Sequence, residues 1–175
     1  MRIPFVSFLL LCCLPVITLA AESEALKAQM DQYVGVWKGY FIVEAPKIDY
    51  EESFSVEQRY WWQGDVLRGV SVARREDGMK TSRSSSYIEG EQIVAEIQHG
   101  EGVDQFYGVL LDGGIVWVHA DVARAKHYQM KEVMKEEAGA RTMLTTGFDT
   151  FVHEGAPTHL LYRGELVQES DTGSD

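Results

Sequence analysis

Cysteine is almost missing from this chain of 175 residues, and the two that exist, Cys12 and Cys13, sit side by side near the start. Asparagine is absent altogether, which rules out an N-glycosylation sequon. Basic residues are scarce beside acidic ones, 16 against 27, for a formal net charge of −11. A surface of that sign repels phosphate backbones and anionic lipid headgroups, so nucleic acid is excluded as a partner and the charge serves solubility. No HExxH or His-x-His spacing, no G-x-S-x-G elbow and no phosphate-binding glycine loop occurs. Ser71 and the run Ser84-Ser85-Ser86 therefore read as exposed strand positions, and no carboxylate pair stands out as an acid–base couple.

The first twenty residues are set apart from the rest. Arg2 precedes a nearly continuous apolar run from Phe5 to Leu14, and Thr18-Leu19-Ala20 follows with small residues ahead of Glu22. This is the pattern of a secretory signal peptide cut after residue 20 or 21. The run is too short, and too interrupted by Pro15, to anchor in a membrane, so no membrane insertion is expected after cleavage. Leu11 before Cys12 argues against lipidation. Both cysteines leave with the leader, so the mature chain has neither a disulfide nor a thiolate metal ligand, and an ordinary apolar core must hold it together. A periplasmic or secreted location follows.

What remains is enough for one domain, residues 23–168, ahead of a small polar tail at 169–175 that reads as disordered. Ser23 to Gln32 has helical spacing, with Ser23 as a cap and Leu26 and Met30 as an i,i+4 apolar pair able to lie across one end of a barrel. From Tyr33 the period changes to two. Ile93, Ala95 and Ile97 alternate with Gln92, Glu96 and Gln98, and Asp112-Gly113-Gly114 marks a hairpin. The stretch 127–135 fits either a strand or a helix, since Met130, Val133 and Met134 share a helical face. Strands on both sides of it favour a strand. The count is about ten strands joined by short links, which requires antiparallel neighbours. Closure into an all-β, up-and-down barrel then removes both unpaired edges.

Gly35-Val36-Trp37-Lys38-Gly39, preceded by a short helix, resembles the opening of calycin-type barrels, the superfamily of lipocalins, fatty-acid-binding proteins and nitrobindins. The nearest likeness is to exported, lipocalin-like bacterial proteins of uncharacterised function. The resemblance implies that Trp37 closes the barrel floor against an arginine from the far end of the chain. Arg163 is the candidate partner, with Arg141 second, through cation–π stacking. It also implies an interior ligand site. The candidate lining residues are Tyr60, Trp62, Tyr87, Trp117 and His159, suited to a small apolar or amphipathic molecule held without being transformed. Trp61 points the other way from Trp62.

Three alternatives stay open. A barrel enzyme of isomerase or lyase type would use His119 and Asp121, which share a strand face at i,i+2, as an acid–base pair. A filled barrel would act as a structural or interaction module, with a homodimer formed through outer aromatics such as Trp61. Haem held through His159 is a minor alternative, from a short likeness between Pro157-Thr158-His159-Leu160 and the nitrobindin region bearing the haem ligand. Otherwise no cofactor or metal is expected.

Overall fold

The computed structural model describes residues 15–137 and 139–170. The apolar leader run and most of the polar tail lie outside the described residues. Helix α1 spans Pro15–Asp31, so Ser23 sits inside it instead of capping it. The reason is local: Leu19, Ala20 and Ala21 are strong helix formers and carry the helix back past the serine.

Ten strands follow: β1 (Gly35–Ala45), β2 (Tyr50–Gln63), β3 (Val66–Arg75), β4 (Gly78–Glu89), β5 (Gln92–His99), β6 (Gly102–Leu111), β7 (Gly114–His119), β8 (Tyr128–Glu137), β9 (Ala140–His153) and β10 (Ala156–Gln168). Each pairs antiparallel with its neighbours in sequence, and β1 pairs with β10 to close the barrel. The expected all-β, up-and-down architecture is therefore the observed one. Residues 128–137 resolve as a strand because their alternation, with Met130 inward and Lys131 opposite Thr146 of β9, matches the pairing that β7 and β9 demand. The seventh strand stops earlier than its sequence suggests, at His119. Asp121 then accepts a hydrogen bond from the Ala123 amide (2.8 Å) and starts a short helix α2, Val122–Ala125.

The end of α1 plugs one mouth of the barrel. Leu26 and Met30 are buried there against Trp37, Leu67, Ile93 and Leu166. Trp37 is fully buried, and its indole Nε1 donates to the Tyr33 carbonyl at 2.7 Å, tying the helix-to-strand link to β1. The second glycine of the motif has a packing role. A Cβ on Gly39 would lie 1.9 Å from the Glu165 carbonyl oxygen, so only glycine lets β1 and β10 meet at this register.

The arginine over Trp37 is Arg141, not Arg163. Its guanidinium carbon stands 5.7 Å from the indole centroid, and it donates to the Gln32 carbonyl (2.7 Å) and to Gln168 Oε1 (3.1 Å). Arg163 lies on the outer face of β10 and pairs with Glu44. Strand phase decides between them. Thr158, Gly164 and Leu166 are the buried, inward positions of β10, which sends the odd-numbered residues outward.

Candidate functional site

Above the α1 plug the barrel encloses a cavity of about 150 Å³. Its walls come from the inward phase of seven strands and the end of α1. Leu67, Ile93, Ile115 and Met30 contribute apolar surface. Tyr60, Phe106, Trp117 and Tyr128 supply ring surface, and Ser71, Ser82, Ser84 and Ser86 form a hydroxyl stripe down β3 and β4. The stripe corrects the reading of Ser71, Ser84 and Ser86 as exposed. Ser82, Ser84 and Ser86 alternate in phase with Ile88, and Ser71 lies directly opposite Ser82.

Two missing side chains give the rings their room. A Cβ at Gly69 would fall 2.6 Å from the Tyr60 ring, and one at Gly108 would fall 2.6 Å from Trp117. Each ring therefore lies across the bare backbone of its neighbouring strand. Tyr60 also meets Tyr33 edge-on at 5.6 Å between centroids.

At the deep end of the cavity sits Glu132, a residue that sequence reasoning passed over as one charge among several on an ambiguous segment. It is 8% exposed. Its Oε2 accepts from the Tyr33 hydroxyl at 2.8 Å and from Trp117 Nε1 at 2.7 Å. Burial pushes the carboxyl above the usual range, against the pull of those two hydrogen bonds. The phenols around it shift the same way. Tyr33 is raised well above its ordinary value by burial and then by the neighbouring Glu132, and burial likewise raises Tyr60 and Tyr128, each with Glu132 second. The available signal was the alternation Tyr128, Met130, Glu132, Met134, which puts a carboxylate in an otherwise apolar and aromatic phase.

The candidates from the sequence divide. Tyr60 and Trp117 line the cavity. Trp62 shares their strand phase but stands beside α1, donating to Asp31 Oδ1 at 2.7 Å with the Lys27 ammonium 4.1 Å from its ring centroid. It braces the plug and does not line the cavity. Tyr87 points outward, since Ser86 and Ile88 on either side hold the inward phase. His159 is exposed on the outer face of β10, where Nδ1 lies 2.9 Å from Thr150 Oγ1. A haem inside the barrel therefore has no ligand in His159. Trp61 is exposed, as expected.

His119 and Asp121 do not form a side-chain pair. His119 Nδ1 accepts the Asp121 backbone N–H at 3.0 Å, while the Asp121 carboxylate caps α2. Strand β7 has ended before Asp121, so the i,i+2 face they were expected to share does not exist. His119 instead turns Nε2 toward Asp104 Oδ1 at 3.4 Å, and His99 Nε2 lies 2.7 Å from Asp104 Oδ2. The hydrogen bond with His99 holds the Asp104 carboxyl below its ordinary range, with His119 adding to it and burial opposing. This cluster stands at the mouth opposite α1, together with the Glu52–Arg75 and Asp149–Arg124 pairs.

No family model matches the chain, and no curated protein sequence matches it. Among solved structures, the S-type phycobiliprotein lyase CPES from Guillardia theta is similar, with a TM-score of 0.54 over 87% of this chain and 97% of that one. The fold is calycin-like. At 9% identity the likeness extends to architecture and no further. The resemblance drawn from Gly35, Trp37 and Gly39 is thereby supported for the barrel, while the arginine partner it implied is replaced by Arg141.

Proposed function

We propose that this chain holds a small amphipathic molecule inside its barrel without transforming it. The observation that carries the reading is the cavity itself: one end plugged by α1, its lining partly apolar and partly hydroxyl, and ringed by Tyr60, Phe106, Trp117 and Tyr128. Convergent polar groups in an apolar recess are the usual character of a ligand site. A space near 150 Å³ accommodates roughly one aromatic ring with a short substituent. The similar lyase shares the barrel only, and the His119–Asp121 pair that an enzyme reading would use is not formed.

Indole and 4-methylphenol are suitable probes, read by shifts of the Trp117 indole N–H in heteronuclear NMR. Both should bind the refolded, ligand-stripped chain. Ala95→Phe, which places a ring in the cavity wall between Ser86 and Phe106, should weaken both at least about tenfold. Circular dichroism confirms that the variant folds. Failure of both probes, or unchanged binding in the folded variant, would sink the reading.

Export is part of the proposal, supported by the Phe5–Leu14 run and the small residues before Glu22. The α1 side chains that enter the core, Leu26 and Met30, lie beyond the cut, so cleavage leaves the plug intact. Mass spectrometry of the mature chain should find Ala21 or Glu22 at its start, and an intact Met1 on the mature protein would refute it.

A further inference from the structure

We infer that the molecule held in the cavity carries a protonated amine and that Glu132 Oε1 receives it. The inference rests on the ligand-holding reading above and names the class of ligand.

The geometry of the carboxyl comes first. An indole N–H can only donate, so the Trp117 contact makes Oε2 an acceptor, and the Tyr33 hydroxyl donates to the same atom. Oε1 has no hydrogen-bonding partner among the described residues, yet it is not among the sealed, unsatisfied polar atoms of the interior. It therefore keeps open access to the cavity that Glu132 lines. A carboxyl so deeply buried ordinarily has its remaining oxygen satisfied or its charge matched. Here the groups facing it are Tyr33 from the α1–β1 link, Tyr60 on β2, Trp117 on β7 and Tyr128 on β8, and among the described residues no lysine, arginine or histidine acts on it. All are neutral.

The chemistry of the walls then selects the ligand group. The faces of aromatic rings carry negative potential, which attracts a cation and repels an anion. A carboxylate oxygen does the same with more force. An ammonium group is thus favoured by both components of the deep site. The excess of acidic over basic residues steers cations toward the molecule in the same sense.

The test is calorimetric, with three probes of one size: 2-phenylethylamine, 2-phenylethanol and phenylacetate. The amine should bind at least about tenfold more tightly than the alcohol, and phenylacetate more weakly than either, the discrimination expected of a charge-assisted hydrogen bond. At low pH, where the raised carboxyl keeps its proton, amine binding to the wild-type chain should release protons as the acid ionises, seen as a dependence of the observed heat on buffer ionisation enthalpy. Glu132→Gln should abolish the preference, the amine falling to the affinity the same variant shows for the alcohol. Alcohol binding as tight as the amine would overturn the inference and point to a neutral acid donating to the ligand, and a preference that survives in Glu132→Gln would overturn it by placing the amine on another group. If none of the three binds, the ligand-holding reading falls with it. If the alcohol binds and the amine does not, only the amine assignment falls.

Discussion

Replacing Trp37 with alanine should cost roughly 3–5 kcal/mol of stability, the range for removing a large buried aromatic. The ring is wholly buried at the junction of α1, β1 and β10, where no neighbour can relax into the space. The loss also strips the Tyr33 carbonyl of its donor and leaves Arg141 without the ring it covers. A comparison of two arginines locates the clasp. Arg141→Ala should cost about 1–2 kcal/mol, since the side chain bridges the Gln32 carbonyl, Gln168 and the indole. Arg163→Ala should fall within about 0.5 kcal/mol of wild type, because its ion pair with Glu44 is exposed. Urea denaturation of the three variants reads all of this. Equal costs at Arg141 and Arg163 would refute the assignment.

The barrel was legible because half-buried antiparallel strands announce themselves. β5 shows Ile93, Ala95 and Ile97 in one phase with charged or amide side chains in the other, and a phase of that kind leaves no choice of face. The strand count follows from the same period-two logic, while the helix was read from the i,i+4 spacing of Leu26 and Met30 and the place of Trp37 from the calycin resemblance. Phase was harder to assign where residue type carries little bias. In β4 the serines on both faces are small and weakly polar, so Ser82, Ser84 and Ser86 gave no sign of facing a cavity until β3 and β5 fixed their register. In β10, His159 and Arg163 share one face, but which face it is depends on Thr158 and Gly164. The end of β7 was hidden for another reason. Asp121 suits a strand-end turn and a helix cap equally, and only the short α2 shows which it is.

Glu132 was missed because a lone glutamate in a charged segment is nearly always solvated, and its consequence for stability is the sharpest prediction the fold offers. Glu132→Gln should leave stability nearly unchanged at pH 4 and raise it by about 3 kcal/mol at pH 8, set by the cost of an unpaired buried charge less what its two hydrogen bonds recover. The sign follows from proton linkage. Burial lifts the folded carboxyl's pKa above its unfolded value near 4.3. The native chain thus binds the proton more tightly than the unfolded chain does. The stability this group contributes is fully present below about pH 4.3 and is lost as pH rises through the raised folded value. Glutamine mimics the neutral acid at every pH and still accepts from Tyr33 and Trp117, so its advantage should open over that window alone. Melting curves at pH 4, 6 and 8 decide the matter, and a gap that is flat or reversed would show that Glu132 is not held in the barrel as described. Saturating 2-phenylethylamine should narrow the gap at pH 8 by stabilising the wild-type carboxylate more than the glutamine variant. On the amine reading proposed above, Glu132 would weaken the empty barrel and strengthen the loaded one, whereas burial alone favours glutamine or an apolar side chain at position 132.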